Sequence, residues 1–160
     1  MTVQELTEQI RLAFPPQTFD GEITRCNCDE CSEIREELRN KRWDELPPSF
    51  LDRTASTLLL TIEAVHAFLP AYLLRALDDL ISSRIVQEFT VYSLCPPYPD
   101  EDNQRVWRER RMCKLLEITQ LMNPAQVQVI RAFLTFIQEH AEDGEWFQPI
   151  IADALENIWR

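Results

Sequence analysis

Two glycines, Gly21 and Gly144, serve a chain of 160 residues, where an average usage of about 7% would supply about eleven. Phosphate-cradling loops, dinucleotide turns and nucleophile elbows need glycine, because there the backbone approaches a ligand closely or takes a positive φ that other residues adopt at a cost. No such loop can be drawn on this chain. Tight two-residue hairpins, which favour Asn-Gly or Asp-Gly, are disfavoured for the same reason. What remains is helices joined by turns that proline, asparagine and aspartate punctuate. The expected fold is therefore all-α, a single helical domain over residues 1–160 with about six to seven helices.

Periodicity places those helices. Thr2 and Glu5 form a capping-box pattern before Leu6, Ile10 and Ala13, and Phe14-Pro15-Pro16 ends the run. A second helix is expected from about Asp29 to Arg39, with Cys31, Ile34 and Leu38 as its apolar stripe. After Pro47-Pro48, the residues Phe50, Leu51, Ala55, Leu58 and Leu59 suggest a third, and Thr61 reads as the cap of the next. From Ile62 to Leu69 the apolar residues are too dense for a surface helix, and Ala71 to Ile81 continue the stripe. Pro70 between them kinks one helix or opens another, giving a central Pro70-interrupted hairpin. Residues 85–94 have a β-like composition without a second strand to pair with, so they read as extended or helical. A basic helix follows from about Asp102 to Leu116. Asn123-Pro124-Ala125-Gln126 is a helix start signal for a stripe ending near His140, and a last helix is expected from Pro149 to Trp159.

Charge narrows the partners. Sixteen Lys and Arg against 27 Asp and Glu leave a net charge of −11, which repels nucleic acid and anionic lipid and favours a basic protein partner. The stretch from Leu58 to Ile81 has about the length of a membrane span, but Glu63, His66, Arg75, Asp78 and Asp79 within it argue against crossing a bilayer. The opening Met-Thr-Val-Gln-Glu carries no basic and apolar signal segment, so the expected location is cytoplasmic.

In that compartment five cysteines are thiols or metal ligands rather than a disulfide framework. Cys26, Cys28 and Cys31 fall within six residues, and the spacing of Cys28 and Cys31 lets both thiolates reach one tetrahedral zinc. A fourth ligand would come from Cys95, Cys113, His66 or His140, none of which belongs to a second paired spacing. The same pair near a helix N-terminus could exchange electrons, although no βαβ pattern surrounds it. The plain alternative makes Cys28 and Cys31 small apolar residues on the stripe of Ile34 and Leu38.

Two further constellations carry chemistry. Glu63 and His66 stand one turn apart and could form an acid–base pair, which predicts an open pocket beside Tyr72; the alternative is a boundary histidine satisfied by a neighbour. The basic helix, with Arg105, Arg108, Arg110, Arg111 and Lys114, could hold an anionic ligand or nucleic acid, with Trp107 as a stacking platform. Its alternative is pairing with the acidic runs at 100–102 and 142–145. The four tryptophans, Trp43, Trp107, Trp146 and Trp159, stand near expected helix ends.

The chain holds, in order, Cys28-Asp29-Glu30-Cys31 running into Ile34 to Arg39 and Trp43, then Leu58 to Leu74, Leu94-Cys95-Pro96-Pro97, Asn123 to Gln126 through Leu134, and Ala154 to Trp159. Together these stretches resemble an uncharacterised family of small bacterial proteins catalogued as a domain of unknown function. None of these is a catalytic motif, and the resemblance implies a bacterial intracellular protein without a known activity. The leading expectation is a non-enzymatic acidic helical protein that binds a partner protein as an immunity protein, inhibitor or adaptor does. The alternative is a structural-zinc or thiol-redox module built on Cys26, Cys28 and Cys31.

Overall fold

The computed structural model describes residues 1–54, 57–78, 84–97, 105–140 and 144–160. α1 (Val3–Ala13) starts at the expected cap: Glu5 N donates to Thr2 Oγ1 at 3.2 Å and Thr2 N to Glu5 Oε2 at 2.7 Å, satisfying two of the donors that a helix start leaves orphaned. Leu6, Ile10 and Ala13 are its buried face. α2 (Asp29–Leu38) buries Cys31, Ile34 and Leu38. It ends without glycine. Asn40 takes φ 55°, the left-handed turn that asparagine tolerates better than most residues, and Lys41 N closes the turn on Leu38 O at 3.1 Å. No described glycine has a positive φ.

After a 3₁₀ turn at Trp43–Glu45, α3 (Pro48–Arg53) is only six residues long. It stops short of the expected run, with Thr54 N and Thr54 Oγ1 both donating to Phe50 O, at 2.9 and 2.8 Å, at its last turn. Thr57–Leu59 is a separate 3₁₀ turn, and Ala55 lies outside the described residues.

Thr61 caps α4 (Ile62–Asp78), its Oγ1 accepting from Ala64 N at 3.2 Å. This is one helix with Pro70 inside it, not a hairpin broken there. A proline in a helix interior costs about 3 kcal/mol, whereas Phe68, Leu69, Tyr72 and Leu73 are almost wholly buried around it and each returns roughly 1.5–3 kcal/mol by leaving water. Burial on both sides therefore carries the helix through. Asp79, Leu80 and Ile81, read as its continuation, lie outside the described residues.

α5 (Arg84–Leu94) settles residues 85–94 as helical. Its β-branched residues serve a buried face of Val86, Val91 and Leu94, and no strand stands beside it, since the described residues hold one isolated bridge, Thr24 with Leu60. α6 (Arg105–Gln120) runs past the expected end at Leu116. α7 (Pro124–His140) starts where expected. α8 (Gly144–Asn157) begins a turn before the expected start at Pro149, which sits inside it, flanked by buried Phe147, Ile150 and Ile151. The described residues thus hold eight α-helices rather than the expected six to seven, the undecided segment at 85–94 being one of them.

α4 is the centre, packed against α1, α3, α5 and α6, while α7 lies between α1 and α8. One hydrophobic cluster joins them. Buried donors close the helix ends: Trp159 Nε1 donates to Leu94 O at 2.7 Å, and the Arg111 guanidinium to Tyr92 O at 2.9 Å and to Ser93 O, so that the orphan carbonyls of α5 are satisfied. Trp43 and Trp159 are buried, whereas Trp107 and Trp146 are exposed. No helix among the described residues is long and apolar enough to cross a membrane.

Candidate metal centre

The segment before α2 is pinned to the entry of α4. Thr61 N donates to Ile23 O at 3.0 Å, Arg25 N to Leu59 O at 3.3 Å, and Thr61 Oγ1 to Glu22 O at 2.5 Å. Ile23 and Thr24 are buried by this pairing, which leaves Cys26 and Cys28 exposed at the rim. Cys28 is the N-cap of α2 with extended backbone at φ −71° and ψ 166°. Cys31, in the first turn, is fully buried. Spacing i, i+3 across a helix start brings the two onto one side, and the loop delivers Cys26 between them.

Arg35, one turn further along α2, ties loop to helix. Its guanidinium donates to Thr24 Oγ1 at 2.7 Å, to Cys26 O at 2.6 Å and to Ser32 Oγ at 2.8 Å. From the sequence it has no role of its own, standing only within the stretch Ile34 to Arg39. Only the tertiary fold, which sets Thr24 opposite the helix, gives it this role.

Cys26 Sγ lies 3.0 Å from Cys28 Sγ and 2.9 Å from Cys31 Sγ, and all three sulfurs are within 4.8 Å of one another. Hydrogen bonds from Cys31, then from Cys28, stabilise the Cys26 thiolate and hold its pKa at about 7. Cys31 is pushed up to about 11, because it gives its proton toward Cys26 and is buried. The trio thus contains one thiolate near neutral pH and one firmly protonated thiol. The acidic sulfur is Cys26, which stands outside the Cys28–Cys31 pair on which a redox reading would rest.

The fourth-ligand candidates stand elsewhere, and among the described residues no further histidine, cysteine, aspartate or glutamate joins the group. Cys95 is buried in the core, its pKa pushed up by burial. Cys113 is exposed on α6. His140 stacks on Phe136 with ring centroids 4.2 Å apart. His66 Nε2 lies 3.3 Å from Gln126 Oε1.

His66 and Glu63 do line a groove, of about 420 Å³, with Phe14, Trp43, Pro70 and Asn123 among its walls. It is not the pocket expected beside Tyr72, where the ring is 1% exposed and its hydroxyl lies 3.2 Å from Thr54 Oγ1. In the basic helix, Arg105 pairs with Glu109 at 3.2 Å and Arg108 with Asp153, while Arg111 is buried on backbone carbonyls. The acidic runs proposed as partners, residues 100–102 and the side chains of 142–145, lie outside the described residues.

A model of a family of unknown function, DUF6714, matches residues 2–160. No curated protein and no solved structure matches the chain.

Proposed function

The chain belongs to the family of unknown function DUF6714, membership that brings no activity with it, and we propose that its role is to bind a soft metal ion, zinc in the first instance, through Cys26, Cys28 and Cys31. The observation that carries this reading is the mutual approach of three sulfurs on a frame braced by Arg35. Zinc bonds to sulfur of about 2.3 Å set tetrahedral thiolates roughly 3.8 Å apart, so each close pair needs to spread by about 0.9 Å from its 2.9–3.0 Å contact. Exposed Cys26 and Cys28 can do so by side-chain rotation. Three protein ligands with a free position are the pattern of an exchangeable or working ion rather than a closed structural one. The fold has its own hydrophobic core, and a chain of this length does not depend on metal to bury it.

Cobalt titration of the reduced, metal-stripped protein tests the proposal. One ion per chain is expected, with sulfur-to-cobalt charge-transfer absorption that zinc abolishes. Arg35→Ala should keep the band and weaken binding by about tenfold, as loss of an outer-shell support does. Absence of the band, or equal binding by the Cys26→Ala, Cys28→Ala, Cys31→Ala triple variant, overturns it.

A second reading, docking of a protein partner, draws support from the net charge of −11 and from Ile85, Phe89 and Tyr92, which are exposed along one face of α5. A stoichiometric basic partner captured by the wild-type chain and lost on Phe89→Glu would favour it. Capture that Phe89→Glu leaves unchanged would count against that face.

A further inference from the structure

Arg25, the residue before Cys26, reaches across to α6, where it lines a cleft of about 440 Å³ with Arg110 and Lys114. In a chain with 27 acidic residues against 16 basic ones, each cation should find a carboxylate easily. Arg105 and Arg108 of the same helix do. Among the described residues, none of the ion pairs includes Arg25, Arg110 or Lys114. Two carboxylates flank the cleft: Glu109 is engaged by Arg105 at 3.2 Å, and Glu117 is exposed three residues beyond Lys114.

Lys114 is turned inward and half-buried, and among the described residues its Nζ reaches only Leu60 O, at 3.5 Å. Burial, with Arg25 and Arg111 nearby, lowers its pKa to about 8. A partly desolvated ammonium near two guanidinium groups, with no ion pair among the described residues, is an arrangement that folding alone does not favour. Perturbed charge gathered in a concavity is the pattern of a ligand site.

We propose that this cleft binds a small phosphate-bearing anion, with Arg25 and Arg110 gripping its oxygens and Lys114 as the inner charge. A phosphoryl group offers three acceptor oxygens and nearly two negative charges, which match two planar forks and a point charge. A monocarboxylate, with two oxygens and one charge, would leave a cation unmatched. A long polyanion is disfavoured because its further phosphates would run over a surface that is acidic overall. The shared chemistry is the phosphoryl group, whether free or carried by a small organic molecule.

Calorimetric titration of the full chain at low salt, with pyrophosphate, inorganic phosphate and glycerol phosphate as probes, decides the matter. Saturable binding of one anion per chain is expected. Pyrophosphate ahead of glycerol phosphate marks a free oligophosphate as the ligand, and the reverse order marks a phosphomonoester. Arg110→Gln, at an exposed position that leaves the core untouched, should weaken binding tenfold or more, and Lys114→Met should do the same. Cobalt binding at the cysteines should stay unchanged in both variants, so that failure here and failure of the metal proposal are separable. The inference falls if no probe saturates, if Arg110→Gln binds as the wild type does, if sulfate and chloride bind equally well, or if a single-stranded RNA oligonucleotide binds tighter than every probe.

Discussion

The groove beside Pro70 and the rim formed by the cysteine loop and α6 differ in how their polar groups are satisfied. In the groove, Gln126 Oε1 lies 3.3 Å from His66 Nε2 and accepts from Asn123 N at 3.0 Å, while Asn123 Oδ1 accepts from Gln126 N at 3.0 Å. Trp43 Nε1 donates to Phe14 O at 3.0 Å on the same wall. These bonds cap α7 and tie the end of α1 to the turn at Trp43. At the rim, the side-chain partners of the three thiols are one another, and three cations form no ion pair among the described residues. A histidine draws the eye in a sequence, but a group without a fitting partner is the better pointer to a ligand.

The largest effects should fall on opposite sides of this contrast. Phe133 of α7 is fully buried, and Phe133→Ala should cost about 3–5 kcal/mol in urea denaturation while the folded fraction still takes up one cobalt ion. Cys31 is equally buried, yet Cys31→Ala should cost only about 1 kcal/mol and lower cobalt affinity at least a hundredfold. If Cys31→Ala unfolded the protein along with metal loss, the ion would be structural and the contrast would collapse.

A smaller effect sharpens the groove's side of it. Asn123→Ala removes the acceptor for Gln126 N, a loss expected to cost about 1 kcal/mol and to leave cobalt affinity as it was. Unchanged stability would mean that the bonds around His66 hold nothing in place, and the groove would regain its standing as a site for chemistry.

The helices were legible because burial leaves a period: Leu6, Ile10 and Ala13, or Cys31, Ile34 and Leu38, declare a face without knowledge of what covers it. Caps were legible because Thr2, Thr61 and Asn123 act within three residues of themselves. Pro70, read as a kink or a new start, and Pro149, read as a start, both lie inside helices, since the burial that outweighs a proline's cost comes from other helices. α3 ended earlier than its apolar spacing suggested. Of the site, the spacing of Cys28 and Cys31 was plain, but the convergence of Cys26 depends on the pairing of Ile23 and Arg25 with residues 59–61. The basic helix, with Arg110 and Lys114, was legible as a possible anion site, but Arg25 was out of reach for the same reason, since it lies far from α6 in the chain.

The finest test concerns the acidity of Cys26, held at about 7 by hydrogen bonds from Cys31 and then Cys28. Alkylation by iodoacetamide, followed by peptide mass at each pH, should have a midpoint near pH 7 at Cys26 and leave buried Cys31 unreacted. Because the folded chain favours this thiolate, its contribution to stability is complete above the ordinary thiol range near pH 9, and is lost as pH falls through 7. Cys31 runs the other way: its proton is favoured in the fold, so its contribution holds below pH 9 and is lost as pH rises through about 11. Removing the main donor with Cys31→Ala should move the Cys26 midpoint up toward an ordinary thiol, and Cys31→Ser, which keeps a donor, should move it less. A midpoint indifferent to both changes would mean that the sulfurs stand apart in solution. A metal would then have to gather its own ligands, and the rim would lose the preorganisation that sets it apart from the groove.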